Sequence, residues 1–325
     1  MKHFSRRSWT QGLLAAMLGL SALASQAQEG APAKIIVGFP AGGSFDAIAR
    51  LIAEKAKTEL NRPIVVDNKA GAGGRIAVDA LKGSPADGSV VMLGPDALTS
   101  LYPFTFKKLN YDPKKDLVPI GTAAEFAFSF AVGSNPKVNS WAEYVAWAKA
   151  NPKDASYGIP ALGAPHHFFG ILLGNAIGVP MQNVPFQGSA PINLALMGGQ
   201  ISASIDVASS QVENHKAGKI RMLAVSTEQR IPQAPDVPTF TELGLPAISG
   251  AGFNALYAPA GTPASAVEAW NKALAKVMAM PDVKEKLTAM GYIPVGKSTQ
   301  ELIDRQNASI RKWEPVIKAS GFTAD

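Results

Sequence analysis

The residues of this chain that could do chemistry lie in loops joining apolar runs to helical patterns. The first is Ile35-Ile36-Val37-Gly38-Phe39-Pro40-Ala41-Gly42-Gly43-Ser44-Phe45-Asp46. An apolar run stops at Pro-Ala-Gly-Gly and a helical pattern starts at once. A loop of this kind points bare main-chain N–H groups and a helix N-terminus into one space. That combination suits an anion, and a carboxylate fits as well as a phosphate. Three more strand-to-helix loops share its character: Lys69-Ala70-Gly71-Ala72-Gly73-Gly74, Ile159-Pro160-Ala161-Leu162-Gly163-Ala164-Pro165 and Gln187-Gly188-Ser189-Ala190. Each alone reads as plain turn chemistry. Four in one chain point to a shared site, because α/β sheets bind ligands beyond the carboxyl ends of their strands.

The side chains narrow the choice. Asp206 closes the apolar run Ile201–Ile205. It either caps a helix over Val207–Ala217 or accepts a hydrogen bond from a ligand hydroxyl, amine, protonated carboxyl or water. His166 and His167 are adjacent, so on a helix they point about 100° apart and do not chelate together. Of the two, His167 is expected to face the ligand. There is no cysteine and no H-E-x-x-H, so neither thiol chemistry nor a metal site is expected. The third glycine of a dinucleotide fingerprint would fall at Ile76, and no G-x-x-x-x-G-K-[ST] occurs. Gln187-Gly188-Ser189-Ala190-Pro191 breaks the G-x-S-x-G elbow. The reading is therefore a non-enzymatic binding protein with no catalytic residue, no cofactor and no metal. An exported hydrolase using Ser44 or Ser189 is the alternative, and it lacks a base beside either serine.

These loops are positioned by alternating elements. Strands are expected at Lys34–Phe39, Ile64–Asp67, Val90–Leu93, Phe126–Val132, Ala155–Gly158, Ile201–Ile205 and Met222–Ser226. Helices are expected at Ser44–Leu60, Arg75–Leu81, Ser140–Ala150, His166–Ile177, Pro191–Met197, Val207–Ala217, Pro263–Met280, Pro281–Met290 and Ser298–Ala319. Ile48, Leu51, Ile52 and Leu60 recur at helical spacing, with Ser44 as the expected N-cap and Asp46 suiting the helix dipole. The pattern predicts open α/β sheets with parallel strands. Two extended runs, Val118–Val132 and Phe253–Pro259, read as crossings between two lobes. The division expected is residues 28–124 and 253–325 in one lobe and 125–252 in the other. Trp141, Tyr144, Trp147, Trp270 and Trp313 sit in helical patterns as packing residues.

Residues 1–27 read as a signal peptide. Lys2, Arg6 and Arg7 form the positive region, Gly12–Ala24 the apolar core, and Ser25-Gln26-Ala27 the cleavage site, with export by Sec or by the twin-arginine route. The chain carries 31 basic and 25 acidic residues. Three of the basic residues fall in the signal, leaving 28 against 25. An excess this small does not argue for nucleic acid, and the expected mature protein is a periplasmic monomer.

The loops, taken together, resemble those of the Bug-type extracytoplasmic solute receptors of tripartite tricarboxylate transporters. The resemblance spans the mature chain. It rests on Phe39–Asp46 with Ala49-Arg50, Val65–Gly74, Pro85-Ala86-Asp87-Gly88, Val184–Pro191, Gly198-Gly199-Gln200 and Tyr257–Pro263. It implies a two-lobed periplasmic-binding-protein fold (a Venus flytrap, type II-like) with two hinge crossings and a small carboxylate in the cleft. It also implies delivery to membrane permease subunits; presentation to a membrane sensor is the alternative. Carried over by position, the expected ligand residues are Phe39, Pro40, Ala41, Gly42, Gly43, Ser44 and Asp46 in one lobe. In the other they are Gly163, Ala164, His167, Phe168, Gly188, Ser189 and Ala190, with Asp206 at the distal side. The chain has Ile159, Ala164 and Ile171 where family members often carry Ser, Ser and Glu, and it adds the bulk of Phe168 and Phe169. Fewer hydroxyls and more apolar surface argue against citrate. They favour a carboxylate with an apolar or aromatic body, so dicarboxylates and aromatic carboxylates are the expected ligands.

Overall fold

The computed structural model describes residues 32–160 and 162–324; the expected export signal lies outside the described residues. Two sheets carry the fold. The six-stranded sheet has the order β11-β4-β10-β3-β1-β2, with β1 Ala33–Val37, β2 Ile64–Asn68, β3 Val90–Pro95, β4 Leu117–Phe126, β10 Gly252–Pro259 and β11 Tyr292–Pro294. The five-stranded sheet has the order β7-β6-β8-β5-β9, with β5 Phe128–Val132, β6 Ser156–Ile159, β7 Gln182–Pro185, β8 Ala203–Val207 and β9 Arg221–Val225. The longer helices are α1 Ser44–Glu59, α2 Arg75–Lys82, α3 Trp141–Ala150, α4 Pro165–Ile177, α5 Ser189–Met197, α6 Ala264–Ala279, α7 Pro281–Ala289 and α8 Thr299–Ser320.

The sheets are mixed rather than wholly parallel. β1, β2 and β3 run parallel, as do β6, β7 and β8, through helical crossovers. β10 is antiparallel to β3 and to β4, and β5 is antiparallel to β8 and β9. The antiparallel members are the strands that pass between the sheets. β4 points the same way as β3, so it reaches Phe126 at the carboxyl edge of the first sheet. After the single residue Ala127, Phe128 opens β5 opposite Val207, at the carboxyl edge of the second sheet. The return is made at the same place: Gly252 opens β10 opposite Phe126. Strand direction alone therefore turns the carboxyl edges of both sheets, and the loops leaving them, toward the two crossings.

Packing follows the predicted periodicities. Ile48, Leu51 and Ile52 of α1 are buried against β1 and its neighbours, each contributing roughly 1.5–3 kcal/mol. α8 starts with a capping box, Ser298 with Glu301, and ends at Gly321 with φ 64°. Its second half leaves the first sheet's own core. Trp313 packs edge-on to Phe169 of α4 at 4.9 Å between ring centres, so α8 ties the two sheets together as a third connection. The helix expected over Val207–Ala217 is instead two short pieces, Ala208–Ser210 and Val212–Lys216.

Candidate functional site

Three helices begin at the facing carboxyl edges without a side-chain cap. α1 starts after Gly43, α4 after Ala164 and α5 after Gly188, and none of these residues accepts the N–H groups of the first turn through a side chain. The expectation that Ser44 caps α1 is corrected: Gly43 holds the N-cap position and Ser44 is the first helical residue. Uncapped first turns leave N–H dipoles for a ligand, and an anion there gains about 0.3–1 kcal/mol from each helix dipole.

The first loop is held from behind. Pro40 to Ser44 are exposed. Gly42 has φ 81° in open surroundings, a backbone state that a side chain would strain. Beneath it, the Asp46 carboxylate accepts the Gly42 N–H at 2.9 Å and the Arg50 Nε–H at 2.8 Å. The Arg50 guanidinium holds that carboxyl down at about 2. Asp46 is buried, 4% exposed. It shapes the loop and does not project into the space above it. Asn68 donates to the Phe39 carbonyl at 3.1 Å, and a Cβ on Gly38 would stand 2.5 Å from the Cα of Gly74. The Lys69–Gly74 loop is thus a backing layer for the first loop. Phe39 and Phe45 stack at 4.2 Å and are half-buried, giving the loop an apolar flank.

Two residues below this loop escaped the sequence reading. Tyr292 donates its hydroxyl to Ser44 Oγ at 3.0 Å. Asn254, in the middle of β10, is fully buried, with the Tyr292 hydroxyl as its polar neighbour. The signal available was Asn254 itself, a lone amide inside the apolar run Phe253–Pro259, which costs free energy unless it has work to do.

On the second sheet Asp206 is fully buried at the end of β8. It accepts the Val207 N–H at 2.7 Å and the Ser210 hydroxyl at 3.1 Å, and the Ser189 hydroxyl also bonds to it. Burial raises its carboxyl above the usual range, with these hydrogen bonds opposing the rise. Behind it, Ser129 donates to Gln211 Oε1 at 2.6 Å, and Gln211 Nε2 donates to Ser204 at 2.7 Å.

The two histidines exchange the roles expected of them. His167 turns away from the crossings. Its Nδ1 accepts the Gly163 N–H at 3.4 Å, and its ring packs on Phe168 and on Phe322 at 4.9–5.0 Å. His166 is the one beside Asp206, with Nε2 3.9 Å from Asp206 Oδ1 and its ring edge-on to Phe128 at 4.9 Å. Burial drives its imidazole down to about 3, so it is neutral. Phe168 is likewise corrected. It is fully buried against Trp313 and Phe322, and Phe169 is wedged between Phe128 and Trp313. Ile159 is fully buried as well. Gly163 is buried, and a Cβ there would stand 2.7 Å from the Phe322 ring. Phe168 and Phe169 fasten α4 to Trp313 of α8 and are sealed from solvent; Ala164, half-buried at the N-cap of α4, is nearer the role foreseen for them.

The structure thus gathers Pro40–Ser44, Gly188–Ala190, Asp206 and His166 at the crossings, with Tyr292 and Asn254 beneath. A surface groove lies elsewhere, at the opposite end of the second sheet, lined by Lys137, His215, Lys219 and Arg221 among others. Among the described residues there is no group of His, Asp and Glu able to hold a metal ion and no helix long and apolar enough to cross a membrane.

Two sheets joined by paired crossings, with uncapped helix starts facing the joint, define the periplasmic binding protein class. Solved structures agree. An R. palustris protein solved with adipate matches with TM-score 0.79 and 31% identity, covering 91% of this chain and 99% of that one. MatC from Rhodopseudomonas palustris with bound malate matches with TM-score 0.73 and 27% identity, covering 89% and 99%. The protein BugT of Bordetella pertussis is 29% identical over 316 residues, 95% of this chain and 96% of that protein. Residues 48–322 match the tripartite tricarboxylate transporter family receptor, and the chain belongs to that family. The family and its structural neighbours are substrate-binding receptors, not enzymes.

Proposed function

We propose that this protein captures a small carboxylate between its two sheets and delivers it to the membrane subunits of a tripartite transporter. The observation that carries this reading is the convergence of three uncapped helix starts, α1, α4 and α5, on one joint. Adipate and malate in structural neighbours support a carboxylate. The ligand carboxylate meets the N–H groups of Ala41–Ser44, while Gly188, Ser189 and Ala190 close from the other side. The lobes are residues 28–124 with 253–325, and 125–252, turning about Ala127 and the start of β10. Residues 1–27 direct export to the periplasm.

The ligand has an apolar or aromatic body. The support for this differs from that expected: the apolar surface comes from the half-buried Phe39–Phe45 stack and Ala164, not from Phe168. Calorimetry with hexanoate, benzoate, adipate and citrate tests the reading. Binding of the first three with weak or absent citrate binding is expected; tight citrate binding with no response to the others would overturn it.

A further inference from the structure

We propose that His166 and Asp206 together read the end of the ligand remote from the carboxylate, and that this end is an uncharged group that both donates and accepts a hydrogen bond, such as a hydroxyl or a primary amide. The inference rests on the cleft reading above and names the ligand class for it.

Both ring nitrogens of His166 are buried without a hydrogen-bond partner among the described residues. Buried polar atoms are seldom left so, and each one asks for a partner. The side chain is only 12% exposed and is held edge-on by Phe128, so it does not swing out to water. Its Nε2 stands 3.9 Å from Asp206 Oδ1, too far for a direct hydrogen bond. A separation of 3.9 Å is the span of one bridging oxygen about 2.8 Å from each atom, with an angle near a right angle at that oxygen. A hydroxyl there donates to the carboxylate and accepts from an imidazole N–H. An amide does the same with two atoms. Asp206 already takes Val207 N–H, Ser210 Oγ–H and the Ser189 hydroxyl, and a carboxylate has about four lone-pair sites, so it has room for one more donor.

A second carboxylate suits this place badly. It would lie against Asp206, a like charge within about 4 Å. Neither Lys nor Arg takes part in setting the Asp206 charge state, and burial keeps His166 neutral. A diacid would therefore bind here only with a proton on its own carboxyl or on Asp206, whose carboxyl burial already raises.

The test is calorimetry at pH 7.5 on the mature chain with three matched probes, 6-hydroxyhexanoate, adipate and hexanoate, and their aromatic counterparts 4-hydroxybenzoate, terephthalate and benzoate. At least one hydroxy acid is expected to bind tenfold or more tighter than its diacid and its unsubstituted acid. His166→Phe, which keeps the packing on Phe128, is expected to erase that preference, so that the hydroxy acid and the unsubstituted acid bind alike. His166→Gln, which keeps a donor and an acceptor, is expected to restore part of it; it also stands in should His166→Phe fail to fold. A diacid binding as tightly as the matched hydroxy acid, or a hydroxyl preference that survives His166→Phe, overturns the proposal while leaving carboxylate capture intact. Absence of binding by all six probes would overturn both.

Discussion

Asp96 makes the crossings sensitive to pH, and the effect can be worked from its surroundings. It follows β3, is 4% exposed, and its N–H donates to the Phe253 carbonyl in β10 at 3.0 Å. Burial raises its carboxyl from 3.8 to about 7, against the opposing pull of Arg305 and the Ala97 N–H. An acid raised in the fold binds more protons folded than unfolded between those two values. Stability therefore falls as pH rises from about 4 to 7 and is level above that. Each pH unit in the window costs about 1.4 kcal/mol, so ionised Asp96 costs at most about 4 kcal/mol at pH 8. Asp96→Asn keeps the acceptor for Ala97 N–H and removes the charge. Its gain over the wild type should be at most about 1.6 kcal/mol at pH 5 and rise toward 4 kcal/mol at pH 8. Urea unfolding at pH 5, 6, 7 and 8 measures this directly. A gain that stays flat across the series, or a loss at pH 8, would refute the assignment of a buried, uncompensated carboxyl.

Three other substitutions test the site and its supports. Gly42→Val meets open space but a left-handed backbone, so it should cost about 1–2 kcal/mol of stability and weaken binding of whichever carboxylate calorimetry identifies by tenfold or more. Arg305→Met removes the partner of Glu125, the bond to the Ala251 carbonyl at 3.2 Å and the stacking on Phe253; unfolding in urea should show a loss of about 3 kcal/mol, because Glu125 is left largely buried and unpaired. Tyr292→Phe frees Ser44 from its donor; a stability loss near 1 kcal/mol is expected from thermal unfolding, with a smaller change in carboxylate affinity.

What could be read in advance follows from the range of the forces. Local period marked α1, α4 and β1 to within a residue or two, since Ile48, Leu51 and Ile52 repeat at 3.6 and the short β-rich runs end at glycine or proline. The uncapped helix starts were legible for the same reason: a glycine loop before a helix leaves N–H groups free whatever surrounds it. Side-chain direction was not legible. His166 and His167 differ by one step of about 100° on α4, and only the docking of α8, more than a hundred residues later, decides which is sealed off. Phe322 and Trp313 cover the face holding His167 and Phe168, and His166 is left over Asp206. The same long-range packing turned Phe168 and Phe169 from a supposed ligand wall into the fastening between the sheets. That reassignment bears on function. If α4 is clamped by α8 through Phe169 and Trp313, the second sheet cannot turn freely about Ala127 and the start of β10 alone. Any opening must also slide or unseat this aromatic contact. Rotation of one sheet against the other is therefore opposed by α4–α8 packing as well as by the two crossings, and a ligand that favours another arrangement must bind it better by at least that packing difference.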